Sequence, residues 1–170
     1  LQDSSELKGI SSFLDLADNL GVIHRNISEG PIRSVEINCY GTLDQIKPIS
    51  LSFLRSLLQN RVPERVNFIN AETIAKELGI ELSIHYSTSD SNYSNLISAR
   101  VVAKNDIIFE GSVFNDDLPR LVNLMGYKME VNLKGTLLFI QNDDVPGVVG
   151  KVGTILGKNK INIGAYLLSQ

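Results

Sequence analysis

The sequence predicts an α+β fold: a mixed or antiparallel sheet that carries helices, followed by a short β-α-β unit. Three observations lead to this class. Helical and alternating apolar patterns follow one another in the first half of the chain, and two pairs of strand-like segments with short turns begin at Leu96. The last segment has the order strand, helix, strand. Lys134-Gly135 is the natural boundary, so we expect domains at 1–134 and 135–170.

Composition excludes several classes of function. A net charge of −3 without a basic stripe argues against a nucleic-acid partner. No apolar run is long enough to cross a bilayer, and acidic residues stand where a signal peptide would be basic, so we expect a cytoplasmic protein with no membrane partner. Cys39 is the single cysteine, which rules out an internal disulfide and argues against a metal site. At an apolar strand position it is expected to be a small buried side chain.

Three helices are expected in the first domain. Apolar residues recur at helical spacing over 7–28, a second helix opens at Pro48, and a third runs over 70–79. His24 lies beside Arg25 at the charged end of the first helix. A lone histidine in such a place is usually solvated, so we expect an exposed side chain.

The strands of this domain follow from period-two patterns. In 32–40, Val35, Ile37 and Cys39 alternate with polar residues, which predicts one buried and one polar face. A second strand is expected over 80–86, and a polar loop follows it. Two hairpins complete the sheet, with strands expected at 96–103, 107–114, 120–124 and 128–133.

The last segment begins with a strand expected at 136–141, in which 136–140 is β-branched and apolar without interruption, as is typical of a buried strand. The loop 142–147 has the sequence Asn-Asp-Asp-Val-Pro-Gly, a helix follows over 148–157, and a second strand is expected at 161–163. Gly150 and Gly153 each cost the helix about 1 kcal/mol relative to alanine. They indicate close backbone packing or a partner near the helix start.

This last pattern resembles the first half of an ACT domain, a ferredoxin-like ligand-binding module of amino-acid enzymes, and most closely that of the D-3-phosphoglycerate dehydrogenases. The resemblance implies L-serine as effector, held by the side chains of Asn142, Asp144 and Asn162 and by N–H groups around Gly147 and Val148. A helix start suits a carboxylate, and amide and carboxylate side chains suit an ammonium or a hydroxyl. Without the resemblance, the same residues are interpreted as a helix cap and a turn.

The first 134 residues resemble the intervening domain of the longer bacterial D-3-phosphoglycerate dehydrogenases. Matching segments stand in the family's order at 14–17, 20–21, 29–32, 66–71, 75–80 and 126–128. The resemblance implies a parent oxidoreductase of serine biosynthesis whose NAD-binding and substrate domains lie elsewhere in the same polypeptide, with no cofactor in this chain. The start at Leu1 also suggests a piece of a longer protein.

The same family implies an anion site near a late hairpin. Arg120 and Lys128 bracket the Met125-Gly126 turn, where they are expected to hold a phosphate- or phosphoglycerate-like anion. Tyr127 and Asn132 replace arginines of more basic relatives, and two solvated surface cations are the alternative interpretation.

No catalytic residues are expected. Two histidines and one cysteine form no nucleophile–base pair, and no Gly-x-Gly-x-x-Gly follows a strand. We therefore expect a regulatory segment that senses L-serine, mediates allosteric control and forms a homo-oligomer. The alternatives are the related β chain of iron–sulfur L-serine dehydratases and a stand-alone interaction module.

Overall fold

A computed structural model describes residues 4–41, 43, 45–88, 92–115, 117–143 and 145–168, with side chains of the first helix from Ile10 onward. The chain divides into two compact units, Leu1–Leu133 (unit 1) and Lys134–Gln170 (unit 2). Within the described ranges, no helix has both the length and the apolar character needed to cross a membrane.

The described residues of unit 1 form three helices and a six-stranded sheet, so the predicted α+β class is confirmed. The helices are α1 (Ser4–Ile27), α2 (Ile46–Leu58) and α3 (Ala71–Glu77). The strands are β1 (Ser34–Gly41), β2 (Glu81–Ser87), β3 (Asn95–Val102), β4 (Asp106–Val113), β5 (Pro119–Leu124) and β6 (Tyr127–Asn132). Both hairpins and the α/β segments lie where the sequence patterns predict them.

The sheet has the strand order β2-β1-β3-β4-β5-β6. β1 and β2 are parallel and are joined through α2 and α3, whereas every other neighbouring pair is antiparallel. The helices pack on one face of this sheet: α1 contacts α2 and the strands β3, β4 and β5, and α2 contacts α3. The side chains of Val35, Ile37 and Cys39 point to this helical face and are buried, as their alternation predicts.

Helix α1 approaches α2 closely, because a glycine stands at their crossing. A Cβ atom on Gly21 would lie 2.5 Å from the carbonyl oxygen of Phe53, too close for any larger side chain. The propensity cost of a glycine within a helix is thus offset by tight helix packing.

The expectation that His24 is exposed is wrong. Its side chain is fully buried among α1, α2 and the sheet, 4.5 Å from the ring of Phe109 and 5.7 Å from that of Phe53 between ring centres. Nε2 donates a hydrogen bond of 3.0 Å to the carbonyl oxygen of Ala99. Burial lowers the pKa of His24 to about 4, so the imidazole is neutral at physiological pH. The local sequence suggested that the His24 side chain is exposed to solvent, but α2 and β3 cover this end of the helix.

The described residues of unit 2 form one helix, α4 (Val148–Lys158), close to its predicted position. The predicted strands at 136–141 and 161–163 are not paired into a sheet in the described part of this unit. In a split β-α-β arrangement the two parallel strands are not neighbours, since each pairs with a strand between them. The described residues of unit 2 include no such strand, so these two segments have no ladder to join.

Candidate functional site

The bend before α4 is the first candidate site. Gly147 adopts a left-handed backbone conformation, with φ of 94°, and precedes the first helical residue Val148. The N–H of Lys151 donates to the carbonyl oxygen of Gly147, which makes Gly147 the cap residue. As at every helix start, the first N–H groups have no acceptor within the helix and carry the positive end of its dipole. This end of α4 is suited to a carboxylate.

The polar residues predicted for this site lie on both sides of α4. Asn142 precedes the helix and is exposed, and its side-chain amide donates 2.6 Å to the carbonyl oxygen of Asp143. Asp144 lies outside the described residues. Asn162 is exposed and follows the helix, where the N–H of Ile161 is bonded to the carbonyl oxygen of Leu156.

One copy of the chain does not bring the helix start and Asn162 together. The hydrogen bond of Ile161 holds residue 161 against the last turn of α4. A helix of 11 residues is about 16 Å long, so the N–H groups of Gly147 and Val148 lie at its opposite end. A single amino acid is too short to span that distance.

The surface of α4 is open. None of its residues is buried, and a Cβ atom placed on Gly150 or Gly153 would have no neighbouring atom within 4 Å. The close backbone packing that these glycines suggested is therefore not found among the described residues. Val149 and Ile155 expose about half of their side chains.

The second candidate site lies on the sheet face of unit 1 opposite the helices. The strand registers align one polar side chain from each strand in a single row across this face. In order from β2 to β6, the row is His85, Asn38, Ser98, Glu110, Asn123 and Lys128. An antiparallel sheet commonly leaves one face polar, but six strands in succession make this row a continuous polar strip.

Arg120 and Lys128, the predicted anion ligands, are not cross-strand partners. Arg120 is paired with Asn132, whereas Lys128 is paired with Asn123, and a register shift separates the two pairs. The guanidinium of Arg120 lies 4.5 Å above the ring of Phe114, and its Nε is 3.5 Å from a carboxylate oxygen of Glu130. Arg120 thus has local partners of its own within the hairpin region.

A cavity of about 370 Å³ opens on the polar face beside Lys128. Its wall residues are Tyr40, Asn92, Tyr93, Leu96, Glu110, Val122, Asn123 and Lys128. The volume is within the range of small-molecule sites. Sequence reasoning missed Glu110, Asn123 and the two tyrosines, because only the register of non-adjacent segments brings them together. The alternation of polar residues in each strand was a signal for the face, but not for the cavity.

The described residues offer little for metal or nucleophilic chemistry. They contain no cluster of three histidine, cysteine or acidic side chains that could hold a metal ion. Cys39 is buried, which raises the pKa of its thiol to about 11 and keeps it protonated. Ser83 and His85 are hydrogen-bonded at 2.6 Å on the exposed edge strand β2. This pair lies on an open strand surface that excludes no water, so it is not an activated nucleophile.

Comparison with known proteins points to one family. The family described as "D-3-phosphoglycerate dehydrogenase intervening domain" matches residues 9–125. Three similar proteins bear the name D-3-phosphoglycerate dehydrogenase. The one from Bacillus subtilis is 32% identical over 97% of this chain, that from Mycobacterium leprae 29% over 95%, and that from Archaeoglobus fulgidus 26% over 99%. The matched part covers 32%, 31% and 32% of the length of these three relatives, so the chain spans about a third of each.

Proposed function

Because the chain belongs to the family of D-3-phosphoglycerate dehydrogenase intervening domains, we propose that it is the regulatory region of such an enzyme. Its parent would oxidise 3-phosphoglycerate with NAD in serine biosynthesis, through domains outside this chain. The observation that carries the proposal is the succession of two units in one chain. The matched domain occupies most of unit 1, and unit 2 follows with an exposed helix whose start is a glycine bend.

The ligand proposed for unit 2 is L-serine, bound as by an ACT module. Its carboxylate would accept hydrogen bonds from the N–H groups of Gly147 and Val148, where the helix dipole stabilises a negative charge. The amide oxygen of Asn142 and the carboxylate of Asp144 would accept from the ammonium, and the Asn162 side chain would bind a polar group of the ligand. The open surface beside Gly150 and Gly153 supports access of a ligand or a second chain to this helix.

Two copies of the chain would complete the serine site. The helix start and Asn162 are separated by the length of α4, so the effector would contact the helix start of one copy and Asn162 of the other. Binding would then favour the paired arrangement over other arrangements of the subunits. An effector shifts such an equilibrium only by its difference in affinity for the two states. This geometry links serine sensing to the proposed homo-oligomer.

The predicted anion site is a further part of the proposal. A phosphate- or phosphoglycerate-like anion would be held by Arg120 and Lys128, whose charge is of the required sign. Glu130 lies 3.5 Å from Arg120, and Glu110 lines the same cavity as Lys128, so both carboxylates would weaken such binding. Arg120→Ala should reduce phosphate binding in a calorimetric titration, and unchanged binding would remove Arg120 from the site.

Calorimetric titration of the protein with L-serine tests the effector site. Asn162→Ala removes one polar contact, and we expect serine affinity to fall at least about tenfold. Asn105→Ala is the matched control, since Asn105 is an exposed asparagine in the β3–β4 turn of unit 1. Equal affinities of the Asn162 variant and the wild type would show that this residue does not contact serine.

Sedimentation velocity tests the completion of the site by a second copy. We expect L-serine to increase the dimer fraction of the wild type and to have a smaller effect on Asn162→Ala. Serine binding without any change in the size distribution would contradict a site shared between two copies.

A further inference from the structure

The cavity on the polar face of unit 1 contains charges of both signs. Glu110 on β4 and Lys128 on β6 stand in the same row, with Asn123 of β5 between them. Strands two apart are separated by about 10 Å, so these long side chains can reach a small molecule that lies above Asn123. The cavity thus presents one carboxylate and one ammonium to the same space.

The carboxylate of Glu110 is held in place by a chain of hydrogen bonds. The N–H of Gly126 donates 2.9 Å to Oδ1 of Asn123, and Nδ2 of Asn123 donates 2.9 Å to Oε2 of Glu110. Both ends of the Asn123 amide are therefore used to orient the acid. An ionised carboxylate accepts up to about four hydrogen bonds, so Glu110 retains the capacity to accept more.

The rest of the wall favours an organic cation with an apolar part. Leu96 and Val122 are almost fully buried and supply the apolar surface of the cavity. The rings of Tyr40 and Tyr93 line it as well. Aromatic rings next to a fixed carboxylate suit an ammonium group, because both attract positive charge.

We infer that this cavity binds a small amino-acid-like zwitterion, whose ammonium is bound by Glu110 and whose carboxylate is bound by Lys128. This site lies within unit 1 and does not depend on the serine site proposed for unit 2. It also differs from the anion site above, because Arg120 takes no part and Glu110 is a required ligand. A bare anion would be repelled by the Glu110 carboxylate, which lies within the same cavity.

Three matched probes test the charges of the ligand: L-valine, its hydroxy-acid counterpart 2-hydroxy-3-methylbutanoate, and its decarboxylated counterpart isobutylamine. Titrations are followed by chemical shifts of the backbone amides of Leu96, Glu110, Asn123 and Lys128. We expect L-valine to bind at least about tenfold more tightly than either counterpart, since each lacks one ion pair. A hydroxy acid or an amine that binds as tightly as L-valine, or no shift with any probe, would overturn the inference.

Two variants then assign the charges to residues. Glu110→Gln keeps an acceptor for Asn123 and removes the charge, so we expect L-valine affinity to fall about tenfold or more. If a bare anion is the ligand, the same variant binds L-valine as tightly as the wild type does or more tightly, which would overturn the inference. Lys128→Met should weaken L-valine binding and leave isobutylamine binding unchanged or stronger, since the amine loses a neighbouring like charge, and equal weakening of both probes would also overturn the inference. Glu81→Gln, on the opposite edge strand β2, is the control and should bind as the wild type does.

Discussion

The two units of this chain show the same apolar patterns but bury them very differently. In unit 1, side chains such as Phe53, Phe109 and Leu16 are fully buried between the helices and the sheet. In unit 2, no described residue is buried, although α4 and its flanking segments are rich in Val, Ile and Leu. An apolar pattern therefore predicts a surface to be covered, and the covering element can lie outside the segment.

Unit 2 therefore depends on contacts that its described residues do not supply. An isolated helix of 11 residues is marginal in water, and most helical stability comes from packing of an apolar face. Leu138, Leu167 and Leu168 each expose more than half of their surface, with values of 64%, 59% and 73%. A second copy of the chain, as proposed for the serine site, is a suitable cover for such a surface.

Truncation of one apolar side chain in each unit should give the largest contrast. Phe109→Ala removes a fully buried ring and should lower the free energy of unfolding by about 3–5 kcal/mol. Ile155→Ala on α4 removes a half-exposed side chain and should change it by less than about 0.5 kcal/mol. Urea unfolding measures both values. A large loss for Ile155→Ala in the isolated chain would show that α4 has a packed partner within it.

The pH dependence of stability gives the next contrast between the units, because the buried histidine, His24, belongs to unit 1. The pKa of His24 is about 4 in the folded chain, against 6.5 for a free imidazole. In the unfolded chain His24 is therefore protonated below about pH 6.5, whereas in the folded chain it is protonated only below about pH 4. Above pH 6.5, His24 should not affect the free energy of unfolding. Between pH 6.5 and pH about 4, this free energy should fall by about 3 kcal/mol because of His24.

The contribution of His24 is isolated by two histidine variants. His24→Gln has no group that is protonated here, and its amide can still donate to the carbonyl oxygen of Ala99. Between neutral pH and pH about 4, the free energy of unfolding of this variant should therefore fall by about 3 kcal/mol less than that of the wild type. His85→Gln, at an exposed histidine on β2, should behave as the wild type does. Urea unfolding at both pH values is the measurement. Equal pH dependence of His24→Gln and the wild type would contradict burial of this imidazole.

Replacing two helical glycines by alanine should change stability in opposite directions, by smaller amounts than the variants above. Gly21→Ala places a Cβ 2.5 Å from the Phe53 carbonyl oxygen and should destabilise unit 1 by about 1–3 kcal/mol. Gly153→Ala meets no atom within 4 Å and should stabilise α4 by about 1 kcal/mol. Urea unfolding checks the first variant and amide hydrogen exchange of α4 the second. Slower association of Gly153→Ala copies would further indicate that the glycine lies in the paired surface.

Much of unit 1 was predictable because local patterns and burial agree there. Alternation in 32–40 gave the buried face of β1, and the turns at 104–106 and at Met125-Gly126 gave the hairpins, since turn chemistry is local. The strand order, the burial of His24 and the cavity around Glu110 were not predictable. Each depends on contacts between distant segments, such as the hydrogen bond that joins His24 to Ala99.

In the candidate sites too, features with a local cause were predictable from the sequence, whereas features set by distant contacts were not. The turn and the helix cap before α4 are predictable from the sequence, because turn residues before a helical pattern act locally, and Gly147 is the cap residue, with a positive φ. The separation of the helix start from Asn162 needed the structure, since only the hydrogen bond of Ile161 places that end of the chain. For Arg120 and Lys128, the bulged register of β5 and β6 decided the pairing, and no local signal predicts a bulge.

Amide hydrogen exchange with and without L-serine tests the contrast between the units and the proposed function together. Without effector, we expect the amides of β3 and β4 to exchange slowly and those of α4 to exchange fast. L-serine should slow exchange at Val148, Val149 and Gly150 and leave β3 and β4 unchanged. Unchanged exchange throughout α4 at saturating L-serine, or protection confined to the sheet of unit 1, would contradict the account.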